Sequence, residues 1–319
     1  MTEEAPGIGR LTAAIVAIAA MLPYLTLKIL WLTGSTVGVS DPYLMSDPAM
    51  VGLNAMTFGM DAVGLLLALA FTMRWGLRLP AWLVLAPLWV GTGLLSVVVV
   101  TAPIIVATAG MAAFSGGPIE PWVYMMVYGG FMGQGVGLMV AFTLYARDRW
   151  PVVFTAAPPD QRPGPTRSLQ EVMAWGALMA AVVVGGVRLS WVFGEPFAAA
   201  AQDGLKGLLG IAGAVALVLL VKGRGGFWPA PAWLGSGCLF GWGLYAMILR
   251  SVGGPLGAGM SGAADLVELF GMLTGLVMGM CGALVLVERS GVRDVQAVQE
   301  PLEGDDRERD RCAAYHGHR

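Results

Sequence analysis

Apolar residues gather along this chain into eight long runs, each near the roughly 20 residues that a helix needs to cross a hydrocarbon core about 30 Å thick. The runs fall at about 11–33, 53–73, 80–103, 122–146, 169–193, 205–222, 231–250 and 265–287. Between Arg78 and Glu120 there is no Asp, Glu, Lys or Arg at all, which a water-facing domain would not tolerate. The pattern predicts an all-α integral membrane protein with eight transmembrane helices. The composition agrees. With 56% hydrophobic and 13% charged residues and a mean hydropathy of +0.70, too little polar surface remains for a soluble globule. The first run holds Pro23 and Lys28 and no small-x-small cleavage pattern follows it, so it is expected to be retained rather than removed as a signal peptide.

The polar positions between the runs sort the connections into two classes. Arg74 and Arg78 follow the second run, Arg147, Arg149, Arg162 and Arg167 separate the fourth from the fifth, and Lys222 and Arg224 follow the sixth. Short basic loops are retained in the cytoplasm, so these connections and both termini are expected there. The alternate connections carry Asp41, Asp47, Glu120, Glu195 and Asp203 and are expected outside. The expected location is the cytoplasmic (inner) membrane, with the lipid bilayer as the obligatory partner.

The chain also reads as two copies of one unit. Lys28-Ile29-Leu30-Trp31-Leu32-Thr33-Gly34 returns as Arg188-Leu189-Ser190-Trp191-Val192-Phe193-Gly194, and Pro80-Ala81-Trp82-Leu83 returns as Pro231-Ala232-Trp233-Leu234. A glycine ladder, Gly129, Gly133 and Gly137, recurs as Gly271, Gly275 and Gly279. The distance between copies shrinks along the chain from 160 to 151 to 142 residues, as expected if helices are kept and exposed loops are trimmed. Four crossings per copy is an even number, so the fold class is refined to two parallel four-helix repeats related by an axis along the membrane normal. The expected domains are a first repeat at 1–147, a Pro-rich cytoplasmic linker at 148–168, a second repeat at 169–289, and a charged, disordered cytoplasmic tail at 290–319. The glycine ladders predict close helix packing, most economically of the fourth helix against the eighth.

The Lys-x-x-Trp-x-x-Gly pattern near the end of the first helix resembles small four-helix membrane proteins of uncharacterised function from high-GC bacteria, here duplicated. The abundance of Ala, Gly, Val and Arg suits such a genome. The resemblance implies location and architecture, and brings no catalytic residues with it.

Ionisable residues inside the membrane carry most of the functional signal, because each is costly unless it is paired, hydrated or able to reach the interface. Counting back from Arg74, Asp61 lies about 20 Å into the core, beyond the reach of a snorkelling carboxylate. Lys28 and Arg188 lie near the outer ends of their helices, each three residues before a Trp. Two readings stand side by side: snorkelling cations beside the interface anchors Trp31 and Trp191, or a basic group at the outer mouth of each half, with Lys28 a candidate partner for Asp61. An ungapped alignment from Pro231 places Ala212 opposite Asp61. Asp265 and Glu268, three apart on one helix face, could pair with Arg188 or mark a helix end in water, as could Lys206 and Arg250.

The absences narrow the chemistry further. The only histidines, His316 and His318, are in the tail, and Cys238, Cys281 and Cys312 form no C-x-x-C pair. Bis-His haem and His-based metal sites within the membrane are therefore excluded on ligand supply, and no P-loop, H-E-x-x-H or G-x-S-x-G motif is present. No cofactor, metal or nucleic-acid partner is expected. The leading expectation is a transporter or ligand-binding, permease-like protein with an outward-facing polar site between the repeats, taking a small-molecule substrate. The alternatives are a non-catalytic membrane subunit, scaffold or immunity protein with a membrane-protein partner, and an intramembrane lipid or isoprenoid enzyme using Asp61, Glu268 and the tyrosines Tyr24, Tyr124 and Tyr128.

Overall fold

Capping and proline, more than hydropathy, decide where the helices begin. A computed structural model of the protein describes residues 7–110, 115–151, 165–194, 196–224, 227–252 and 262–288. In chain order the long helices are α1 (Ile8–Leu32), α2 (Pro48–Thr72), α3 (Ala81–Ala109), α4 (Pro121–Arg149), α5 (Arg167–Trp191), α6 (Phe197–Val221), α7 (Pro229–Val252) and α8 (Gly262–Glu288). Each is long and apolar enough to cross a membrane, which makes this a polytopic helical membrane protein. Helix α2 starts at Pro48 rather than near residue 53, because Asp47 accepts hydrogen bonds from the free amides of Ala49 (2.8 Å) and Met50 (3.2 Å) while proline fills the first helical position. Helix α6 likewise starts at Phe197, after Pro196, and so gathers into a helix the polar residues Gln202, Asp203 and Lys206 that hydropathy assigns to a connection or its edge. Most of the expected linker at 148–168, and the tail at 290–319 with His316, His318 and Cys312, lie outside the described residues, as does Glu195.

Side chains on the rim of the bundle are large and apolar. Met179 is 72% exposed and Leu66 57%, as required of a surface whose solvent is lipid. Within the first four helices, α1 packs along α4 and α2, and α3 packs along α4. The α1–α4 seam is built from small residues: a Cβ at Gly137 would lie 2.8 Å from both the Ala13 carbonyl and the Ala17 methyl, and one at Gly133 would lie 2.7 Å from the Ala20 methyl. Among the last four, α6 lies along α5 and α7, with Gly213 against Gly235 backbone to backbone. Helix α8 sets Gly275 on the backbone of Ser236 and Phe240 in α7 and Gly279 on the Trp89 ring of α3, while Gly271 faces Val184 and Leu239. Gly129 has no close neighbour. The two ladders thus close seams with α1 and with α7, and no residue of one ladder's helix lies nearest to a glycine of the other.

The two groups of four meet chiefly through α3 and α7, with α3 also touching α6. Gly93 and Gly237 bring the two backbones into contact, Trp89 stacks on Phe240 with ring centroids 4.9 Å apart, and two indole donors cross the seam, Trp89 to the Ser236 hydroxyl and Trp233 to the Thr92 hydroxyl, each at 2.9 Å. At the end of the bundle away from Lys28, α1 and α4 are joined by Arg10 and Asp148 at 2.7 Å, and α5 and α8 by Gln170 and Glu288 at 2.9 Å.

Candidate functional site

Two polar clusters lie inside the bundle, one in each group of four helices. In the first, Tyr24 and Lys28 stand one turn apart on α1, and Asn54 and Asp61 stand two turns apart on α2, so each pair shares a helix face. Lys28 is 4% exposed and donates a 2.7 Å hydrogen bond to Asn54 Oδ1. Its ammonium also sits 4.8 Å from the Tyr24 ring centre and 5.5 Å from that of Trp31, where the negative ring faces attract it. Asp61 lies midway along α2 and is 4% exposed. Its Oδ1 accepts from Gln134 Nε2 of α4 at 3.3 Å, and its Oδ2 is buried with no hydrogen-bond partner among the described residues.

Lys28 and Asp61 attract one another through space but do not form the direct pair that their sequence positions invite. Each is held instead by a neutral amide. Asn54 and Gln134 are the residues that sequence reasoning missed, and both left a trace: Asn54 stands seven positions before Asp61, and Gln134 interrupts the glycine ladder between Gly133 and Gly135.

The connection from α1 to α2 closes this cluster at its Lys28 end. Gly38, with a positive φ of 73°, leaves no room for a side chain beneath Trp122 and Val123. The segment is pinned to the start of α4 by an antiparallel bridge between Val39 and Ile119 and by the Ser40 hydroxyl, which donates to Glu120 at 2.8 Å. Met45 is buried beside Leu27, Trp31 and Val123, and its sulfur accepts from the Asn54 amide at 3.4 Å. Trp31 is buried and donates its indole N–H to the Val37 carbonyl at 2.9 Å. It therefore packs under the connection, and Lys28 is turned toward Asn54 inside the bundle. Trp191 is only half-buried.

The second cluster balances its charges. Arg188, 1% exposed, donates to Asp203 of α6 at 2.9 Å and to Glu268 of α8 at 2.7 Å. Lys206 adds a 3.3 Å contact to Asp203 and sits 4.4 Å from the Trp242 ring centre, and Arg250 pairs with Asp265 at 2.8 Å. Asp203, expected in an external connection, is thus a helical residue facing inward.

A separate cavity of about 260 Å³ lies between α3, α4 and α6, lined in part by Tyr124, Tyr128, Ser115 and Gln202. It lies between the two groups of four, whereas Asp61 and Lys28 lie within the first group. Among the described residues no three His, Cys, Asp or Glu side chains converge as metal ligands would. Comparison of the chain with family models, curated proteins and solved structures finds no match in any of the three.

Proposed function

We propose that this protein is a transport or ligand-binding protein of the cytoplasmic membrane, and that its working site is the Lys28–Asn54, Asp61–Gln134 cluster between α1, α2 and α4. The observation that carries the reading is Asp61, a carboxylate midway along a long apolar helix with one oxygen that no group among the described residues satisfies. Leaving such a group uncompensated costs several kcal/mol, a cost that a purely structural helix avoids by using an apolar residue.

In this reading the two groups of four helices are parallel repeats, with both termini in the cytoplasm and the Lys28 end facing outward. What supports the repeat is correspondence of position. Asn54 and Asp203 are each the seventh residue of their helix, α2 and α6, and each receives the cation of the preceding helix. Trp89 and Phe240, which stack across the α3–α7 seam, are 151 residues apart, as are the two Pro-Ala-Trp-Leu segments. Contact between equivalent positions is what a two-fold axis produces. In this reading the chain is a duplicated form of the small four-helix membrane proteins of high-GC bacteria that its Lys-x-x-Trp-x-x-Gly pattern resembles.

The test is complementation of a deletion strain with wild type or Asp61→Asn, scored for growth and accumulation across small molecules, metals and membrane-active antibiotics. A compound-specific defect rescued by wild type alone is expected. Full rescue by Asp61→Asn removes the cluster from the mechanism.

A further inference from the structure

We infer that Asp61 is a proton-binding site, in which the carboxylate takes one proton from solvent on Oδ2 and later returns it. The inference deepens the functional reading of this cluster and rests on it.

The first strand of evidence is supply of donors. An ionised carboxylate has about four lone-pair sites to satisfy. Asp61 receives one hydrogen bond, a long one of 3.3 Å from Gln134, and its second oxygen receives none. Adding a proton to Oδ2 forms one O–H bond, removes the negative charge and leaves Oδ1 free to keep the Gln134 bond, so nothing else in the site must be rebuilt.

The second strand is the choice of ion. A hard metal cation such as Ca²⁺ asks for about 6–8 oxygen ligands. Among the described residues, the side-chain group hydrogen-bonded to Asp61 is Gln134, which presents its amino nitrogen rather than an oxygen. A proton needs one oxygen, and one is waiting.

The third strand is the neighbourhood. The groups that bear on Asp61 are Tyr24 and Lys28 from α1 and Gln134 from α4, with Tyr128 of α4 and Tyr245 of α7 acting on Tyr24. Lys28 is the only cation in this set, and it is engaged by Asn54 and two aromatic rings. A counter-ion fixed at a distance lets the acid be charged or neutral without either state being locked. In the second cluster Arg188 touches both of its acids, which removes that freedom.

The experiment is infrared difference spectroscopy of the full chain in liposomes, titrated with acid in sodium and in choline buffers. The carbonyl stretch of a protonated carboxylic acid is expected to appear on acidification equally in both buffers, and to be absent in Asp61→Asn. Gln134→Met, which removes the donor to Oδ1, is expected to move the same band to higher wavenumber, and this variant decides the matter if Asp61→Asn fails to fold. Absence of the band, its persistence in Asp61→Asn, its loss in sodium alone, or its indifference to Gln134→Met overturns the inference. The two readings separate cleanly. A titrating Asp61 band with full rescue by Asp61→Asn refutes the functional proposal only, and a compound-specific defect without the band refutes the proton alone.

Discussion

The first and last groups of four helices place a cation at corresponding positions and treat it in opposite ways. Arg188 is clasped by two carboxylates from two helices, whereas Lys28 is given one neutral amide and Asp61 another. Buried charges in direct contact with a partner hold elements together once formed, and removing one partner strands the rest. Buried charges that are kept apart contribute little cohesion and stay available for exchange. The packing follows the same division. Gly210, the fourteenth residue of α6, lies beneath Leu239 of α7, and Gly213 meets Gly235. The fourteenth residue of α2 is Asp61, and α2 makes far less contact with α3 than α6 makes with α7. A tight glycine seam has no room for a carboxylate, so the polar site occurs in the group of helices where that seam is absent. The difference teaches that the second group is held by paired charges and a tight glycine seam, whereas the first keeps its charges apart.

The strongest way to break this comparison is Arg188→Met. It leaves Glu268 without its cation and Asp203 with Lys206 alone, and a loss of about 3–5 kcal/mol is expected, read as a lower unfolding temperature in detergent. A loss no larger than that of Lys28→Met would mean that the two clusters are energetically alike. Next is Gly93→Ala, whose methyl would overlap the Gly237 backbone where the two groups meet. Overpacking of about 1–3 kcal/mol is expected, while Gly91→Ala, facing open space, serves as the neutral control in the same unfolding assay. Lys28→Met is expected to cost about 1 kcal/mol, the worth of one hydrogen bond, together with loss of function in the complementation assay. The smallest structural effect is expected for Asp61→Asn, which keeps the side-chain shape and removes an unpaired charge. Its stability should not fall below wild type, because the change removes an uncompensated buried charge, while its function is lost, and a large destabilisation would show that Asp61 is a structural acid after all.

Much of the fold was legible because membrane helices announce themselves by length and composition. The expected ends failed where polar residues face inward. Hydropathy averages over a window and ignores which side of the helix a residue occupies, so it cut α6 short and left Asp203 in a connection, although this residue is the principal partner of Arg188 on that helix. Glu268 was legible as a candidate because it follows an otherwise apolar boundary, yet whether it met Arg188 or water depended on the placement of α8 against α5. Trp31 illustrates the same limit. Its position near a helix end suggests an interfacial anchor, but the connection from Thr33 to Asp47 folds back over it and supplies the Val37 carbonyl that its indole needs.

The sequence by itself determined that eight helices would be long and apolar enough to span a membrane, that a motif with a cation and a tryptophan would stand near the end of the first and fifth, and that one carboxylate would lie deep within the second. These follow from local properties, namely the apolar length needed to cross a bilayer and the energetic cost of charge within it. Only the tertiary structure decided which charges touch. A hydrogen bond is made or missed within a few tenths of an ångström, and that distance depends on how neighbouring helices rotate and approach. Thus small residues set α1 against α4, α3 against α7 and α6 against α7, and those seams left Arg188 between its two acids and Asp61 with a single amide and one empty oxygen.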